Sequence, residues 1–206
     1  MSELDFFRDA AKQQAGRVVK SVEGQTSAEV VIAVRHRSGN YRLVAYHFGM
    51  ALGALVTLAL LVSPRVFTIA AIALDGLAAF VLGTVVCANV EALTRALSRP
   101  KTLQSNVDAA ARAAFFDLGI SRTRGRNGIL VFVSTFEHAL TVLPDIGIDT
   151  AALGDDWSKA VAAMAEGVRR MNADAFLAGV ESLGPVLGRA MPWAADDLNE
   201  LSDEVQ

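Results

Sequence analysis

The sequence predicts an α/β fold: a small three-layer domain with a mixed β-sheet, interrupted by a two-helix transmembrane hairpin. Three observations carry that expectation. Residues 44–90 form two long apolar stretches on either side of Ser63-Pro64-Arg65. Two short runs rich in β-branched residues, 28–35 (AEVVIAVR) and 128–134 (GILVFVS), have the nearly continuous apolar character of strands buried on both faces. Between and after them, apolar residues recur at helical spacing. The division expected is one domain built from residues 1–43 and 91–206, with 44–90 inserted after the first strand.

Taken in order, Ser2 followed by Asp5 resembles a capping box, and Phe6, Phe7, Ala10, Ala11, Gln14, Val18 and Val22 continue a helix that closes near Gly24. The strand at 28–35 follows, and Arg37-Ser38-Gly39 leads to the first apolar arm, 44–62, whose polar residues are Tyr46, His47 and Thr57. The second arm, 66–90, carries Asp75, Asn89 and two threonines. A bilayer core of ~30 Å needs about 20 apolar helical residues, which each arm approaches or exceeds. The hairpin starts too far into the chain, after an amphipathic segment, to be a signal peptide. Arg35, Arg37 and Arg42 precede it and Arg95, Arg99 and Lys101 follow it, against Arg65 alone in the turn. Positive charge on both flanks places both termini and the α/β domain in the cytoplasm, with the hairpin integral to a bacterial-type inner membrane. Gly49 and Gly53 on one arm, and Ala73, Gly76, Ala79 and Gly83 on the other, favour close helix contact and would allow a homo-oligomer through the hairpin. Asp75 lies at about the depth of Thr57, so Thr57 or an assembled neighbour is its expected partner.

Beyond the hairpin, the second arm is expected to run on as helix to Leu97 until Pro100 stops it, with Thr102 or Ser105 capping the next helix. Val107, Ala111, Ala114, Phe115 and Leu118 form that helix's apolar face, and Gly119 ends it. A basic loop, 121–127, precedes the strand at 128–134, and 139–143 pairs back after a turn at Phe136, Glu137 and His138. Two helices close the domain, 155–171 and a second that starts at Asn172 or Ala173 and runs to Ala190, with Pro185 requiring a kink or an earlier end.

Composition narrows the function classes. The 52% hydrophobic content comes largely from the hairpin. A formal net charge of -3 argues against a nucleic-acid partner, and the basic flanks suit an anionic lipid surface. The acidic tail, 196–204, is expected to be a solvated terminus. Cys87 is the sole cysteine, so neither an intrachain disulfide nor a cysteine metal site is possible. His36, His47 and His138 lack metal-ligand spacing, and no HExxH, GxSxG or Walker loop is present.

Thr26-Ser27-Ala28-Glu29-Val30-Val31, Ala114-Phe115-Phe116-Asp117-Leu118-Gly119, Arg122-Thr123-Arg124-Gly125-Arg126-Asn127-Gly128 and Leu143-Pro144-Asp145-Ile146-Gly147-Ile148 recur in a distinctive order. With Trp157 and the tail Asp197-Leu198-Asn199-Glu200-Leu201-Ser202-Asp203-Glu204, the set resembles the TPM domain family, whose members include thylakoid-lumen, photosystem-repair and receptor-modulating proteins. The resemblance implies a three-layer α/β domain, commonly attached to a membrane. It implies either an auxiliary factor for membrane complexes or an acid-phosphatase-like, Ca²⁺-binding protein. Two features depart from the family pattern: the inserted hairpin, and Asp145-Ile146-Gly147 where Asp-Arg-Gly is usual.

The connections make strands one and two parallel and strand three antiparallel to strand two. One sheet edge then gathers Glu29, Asp145 and Asp149 as candidate Ca²⁺ or Mg²⁺ ligands, and Arg122, Arg124 and Asn127 as a candidate phosphate-binding group. At the opposite edge, Arg35, Arg37, Arg42, Glu137 and His138 are expected against lipid headgroups. With no nucleophile beside a general base, the expected function is a non-catalytic auxiliary or assembly factor for membrane proteins, partnered with the bilayer and a membrane protein complex. A metal-dependent, acid-phosphatase-like hydrolase is the alternative.

Overall fold

Whether the chain is an enzyme or a scaffold, its geometry is set by a three-stranded mixed sheet. The computed structural model describes residues 9–193 and Leu201. The Ser2–Asp5 cap with Phe6 and Phe7, and all of the acidic tail 196–204 except Leu201, lie outside the described residues. The chain divides into two compact units, 1–38 with 103–206, and 39–102.

In the first unit, the helix Asp9–Glu23 (α1) leads to the strand Glu29–Arg35 (β1). A long helix, numbered α5 after the three helices of the second unit, covers Pro100–Asp117 and precedes the strands Gly128–Ser134 (β2) and Ala139–Pro144 (β3). Thr150–Arg169 (α6), Ala173–Glu181 (α7) and Leu183–Ala190 (α8) complete the unit. The sheet order is β1-β2-β3, with β1 parallel to β2 from Glu29↔Gly128 to Arg35↔Ser134. Strand β3 runs antiparallel to β2, from Ile129↔Pro144 to Ser134↔Ala139.

Alternation along the strands distributes side chains to two cores. Val30, Ile32, Ile129, Val131 and Val133 face a cluster with Ala15, Val19 and Val22 of α1, Met164 of α6 and Phe176 of α7. Val31, Ala33, Leu130 and Phe132 face Val107, Ala111 and Ala114 of α5. The i, i+4, i+7 spacing of these buried residues on α1 and α5 is the amphipathic pattern read from sequence. All seven residues of β2 are buried, as expected of a central strand covered on both faces.

Helix ends account for most differences from the sequence expectation. Gly119 takes the left-handed conformation (φ 70°) expected beyond the C-terminus of α5, but that helix starts at Pro100 rather than being stopped by it. Proline is well suited to a first helical position because the N–H it lacks has no intrahelical partner there. Likewise Pro185 lies in the first turn of α8, and the expected long last helix is divided between α7 and α8. In α6, Gly154 is non-helical (φ 64°), so a turn capped by Asp149 precedes the helix expected from Asp155. Arg189 of α8 donates from Nη2 to Asp156 Oδ2 of α6 at 2.6 Å. Its hydrogen bond, followed by that of Lys159, holds the Asp156 carboxyl below its ordinary 3.8. This exposed contact favours the folded state above the ordinary carboxylate range and is lost as pH falls through the lowered value.

The second unit contains Arg42–Leu61 (α2), Ile69–Asn89 (α3) and Glu91–Leu97 (α4). Two of these helices, of 20 and 21 residues, are long and apolar enough to cross a membrane. Thr68 caps α3 by accepting from Ala71 N at 3.2 Å, so α3 begins beyond the expected Val66. It does not run on to Leu97: Val90 is extended (φ -103°, ψ 94°) and α4 starts afresh. Thr94 of α4 instead donates its hydroxyl to the Cys87 carbonyl, tying α4 to the end of α3.

Glycines set the contact between α2 and α3. Gly49, Gly53, Gly76 and Gly83 are buried, whereas Ala73 is exposed. A Cβ on Gly53 would lie 2.9 Å from the Gly76 carbonyl oxygen, and one on Gly83 would lie 2.9 Å from Leu52 Cδ2 and 3.1 Å from Gly49 Cα. Backbone atoms cannot yield without moving the helices apart. Gly53→Val in the full chain should therefore cost about 1–3 kcal/mol, the range for overpacking, and lower the unfolding midpoint in detergent. Leu55→Ala on the exposed face should leave the midpoint nearly unchanged; equal effects of the two substitutions would contradict glycine-set packing.

Candidate functional site at the amino edge of the sheet

The pairing register brings the start of β1, the start of β2 and the end of β3 to one edge. Asp145 N donates to Gly128 O at 2.8 Å and Glu29 N to Asn127 O at 3.2 Å, so Glu29, Gly128 and Asp145 occupy adjacent places across it. The convergence expected from the strand directions is thus present.

Asp145 is buried, and Arg126 grips it side-on: Nη2 donates to Oδ1 at 2.9 Å and Nε lies 2.7 Å from Oδ2. The Nε contact is an ion pair whose N–H is poorly aimed, so Oδ2 has electrostatic compensation without a well-directed hydrogen bond. Ile146 N also donates to Oδ1 at 2.8 Å. Arg126 itself is placed by local backbone: it is left-handed (φ 51°), its N–H donates to Thr123 O at 3.1 Å, and its carbonyl accepts from Gly147 N at 2.9 Å. A Cβ on Gly147 would come within 2.5 Å of Gly125 O, so glycine is needed where the turn after β3 lies against the basic loop.

The other predicted residues have separate duties. Asp149 caps α6, its Oδ1 accepting from Ala151 N at 3.0 Å and Ala152 N at 3.2 Å. Glu29 is buried at the first position of β1. Among the described residues no group of three or more His, Cys, Asp or Glu side chains is placed to hold a metal ion. Of the three expected Ca²⁺ or Mg²⁺ ligands, Asp145 is paired with a guanidinium, Asp149 caps a helix and Glu29 is buried at the start of β1.

Of the expected phosphate-binding group, Arg122 and Arg124 are exposed. Asn127 uses Nδ2 to donate to Ser27 O, its N–H bonds Thr123 Oγ1 at 3.2 Å, and its Oδ1 is a buried acceptor without a hydrogen bond. Thr26 is also spent on structure, its hydroxyl donating to Met191 O at 2.7 Å. Over Gly128, where a side chain would complete the row between Glu29 and Asp145, Ile120 fills the space: a Cβ there would lie 2.7 Å from Ile120 Cγ2.

At the opposite edge, Glu137 is buried rather than presented to headgroups. Oε1 accepts from Ser38 N at 3.0 Å, Oε2 accepts from the Ser134 hydroxyl, and Ser38 Oγ donates to Ser134 Oγ at 2.8 Å. Arg37 lies 3.9 Å above the ring of buried Phe136. These bonds secure the segment leaving β1 against the β2–β3 turn.

With this geometry in view, the chain can be compared with known proteins. No family model matches it, and no curated protein matches it. Its fold is similar to that of one solved structure. That structure is the NMR structure of BA42 protein from the psychrophilic bacterium Bizionia argentinensis, with a TM-score of 0.57 at 14% identity, covering 96% of this chain and 92% of that one. At that identity the likeness concerns the fold alone.

Arg126 belongs to the basic loop but not to the expected phosphate-binding group of Arg122, Arg124 and Asn127. Antiparallel pairing of β3 with β2 puts the loop before β2 beside the turn after β3, so an arginine one residue before Asn127 was in reach of Asp145. Arg126→Ala should cost about 1–3 kcal/mol, less than a fully buried pair because the arginine side chain is 44% exposed. Asp145→Asn removes the same contact, and the double variant should be less destabilised than the sum of the two, by denaturation of the full chain in detergent. Strict additivity would show that the pair contributes nothing.

Proposed function

We propose that this chain is a membrane-anchored α/β protein of the kind the TPM resemblance implies, acting as a non-catalytic auxiliary or assembly factor for a membrane protein complex. The hairpin holds it in a bacterial-type inner membrane, and the α/β domain and both termini lie in the cytoplasm. The observation that carries the non-catalytic reading is the side-on Arg126–Asp145 pair. It commits both the carboxylate and the guanidinium that a phosphoryl-transfer site would need at this edge.

A contact surface remains at the same edge. Ile146 is 83% exposed at the tip of the turn that Arg126 secures, with Arg122 and Arg124 exposed on the loop. An apolar side chain on a rigid turn beside arginines suits an acidic protein surface, with Ile146 as the anchor and the arginines as a charged rim.

The test compares the tagged full chain with Ile146→Asp and with Arg122→Glu/Arg124→Glu after solubilising host membranes. A protein recovered stoichiometrically with the parent chain should be lost from both variants. Phosphomonoester hydrolysis should be absent with Ca²⁺, Mg²⁺ or Mn²⁺. Metal-dependent hydrolysis abolished by Asp145→Asn would establish the hydrolase instead. For topology, with Cys87 replaced, an impermeant thiol reagent should label Ser63→Cys from outside and spare Ser202→Cys; the reverse pattern would invert the orientation.

A further inference from the structure

The short helix α4 turns hydroxyls inward and leucine outward, the reverse of a helix that packs in water. Thr94 and, at the C-terminal cap, Ser98 are buried. The Thr94 hydroxyl donates to the Cys87 carbonyl at the end of α3, and Ser98 Oγ donates to the Thr94 carbonyl at 2.7 Å. Both hydroxyls are thereby satisfied out of water. Leu97 is exposed, as is Val90 before the helix, and Leu93 is half-buried.

Helical geometry separates the remaining side chains into two flanks. At about 100° per residue, Leu93 and Leu97, four apart, share one side. Glu91 and Arg95, also four apart, lie roughly half a turn away from them, and exposed Arg99 follows the cap. The hydroxyl that faces α3 lies between. A helix held in this way, with leucines on one flank and charges on the other, has the arrangement of one lying in the plane of a membrane surface. The exposed apolar surface also runs on without interruption in sequence, from Val85 and Val86 near the end of α3 through Val90 to Leu97.

We propose that α4 lies along the bilayer surface, with Leu93 and Leu97 at the acyl boundary and Arg95 and Arg99 holding the phosphates of anionic phospholipids. This rests on the reading that α2 and α3 span the membrane, and adds to it a lipid preference at one end of the hairpin. Continuity and charge decide for lipid: the outer surface of α3 that meets acyl chains leads into α4, and guanidinium groups pair with phosphate oxygens. The break at Val90 makes the placement possible. The 21 residues of α3 already span ~30 Å, and the same helix continued would carry Leu97 about 12 Å farther along the axis, out of the apolar layer.

The test uses the full chain reconstituted in phosphatidylcholine vesicles with and without phosphatidylglycerol. The background is Cys87→Ala, which keeps the carbonyl that Thr94 uses. An environment-sensitive thiol fluorophore is attached to Leu97→Cys, to Ala92→Cys on another side of α4, and to Leu77→Cys, exposed on α3. Lipids with a nitroxide on the upper acyl chain should quench the label at Leu97→Cys severalfold more than at Ala92→Cys when phosphatidylglycerol is present. That excess should fall severalfold in phosphatidylcholine alone and in Arg95→Gln/Arg99→Gln. Equal quenching at the two positions, or an excess indifferent to phosphatidylglycerol or to the arginines, overturns the proposal. A blue-shifted emission at Leu97→Cys without lipid quenching assigns the leucines to a second copy of the chain and overturns it as well. A nitroxide deep in the acyl chain reads Leu77→Cys and separates the two levels. Quenching there with none at Leu97→Cys defeats this inference alone, and quenching at neither defeats the membrane anchor and the inference with it.

Discussion

The burial of β2 on both faces is the constraint on which the α/β unit depends. A strand whose seven residues are all buried must be paired on both sides and covered on both faces, because unpaired backbone groups there would be costly. It takes β1 in parallel and β3 antiparallel, and side-chain alternation fixes the register, since a one-residue slip would exchange the contents of the two cores. Phe132, fully buried in the cluster with α5, shows the scale: losing such a side chain costs about 3–5 kcal/mol. Everything at the two edges follows from that register.

At each edge a buried carboxylate helps to close the fold. Arg126 and Asp145 join the loop before β2 to the turn after β3, and Gly147 permits their backbones to touch. Glu137 does the corresponding work at the other edge by accepting from Ser38 N–H and the Ser134 hydroxyl. Carboxyl ends of parallel strands are the customary ligand position in open α/β sheets. Here the chain leaving β1 and the buried glutamate occupy it. Buried charged groups of this kind stabilise only while their partners remain, which suits rigid connections better than exchangeable ligands.

Much of this was legible in the residues. The β-branched runs located β1 and β2 nearly to the residue, and the return of the chain after the hairpin to the start of β2 indicated their parallel pairing. The apolar arms gave α2 and α3, and their glycines gave the contact between them. What the sequence concealed was local. Val90 carries no sign that the helix breaks there, because its extended conformation is held by Thr94 reaching back to Cys87. Counting depth from the hairpin turn put Asp75 level with Thr57, but depth says nothing about rotation about the helix axis, and Asp75 is on the outer face. Strand directions brought Glu29, Asp145 and Asp149 towards one edge, but spacing does not reveal that Arg126 pairs with Asp145 or that α6 amides bond Asp149.

The amino edge of the sheet is held together by its own backbone hydrogen bonds and the Arg126–Asp145 pair. Amide hydrogen exchange on the full chain in detergent tests it most directly, with and without millimolar Ca²⁺. Glu29, Asp145 and Gly147 donate their N–H groups across this edge to Asn127, Gly128 and Arg126. The account predicts that all three amides exchange as slowly as the interior of β2 and do not respond to Ca²⁺. Rapid exchange at these amides that slows when Ca²⁺ is added would contradict it.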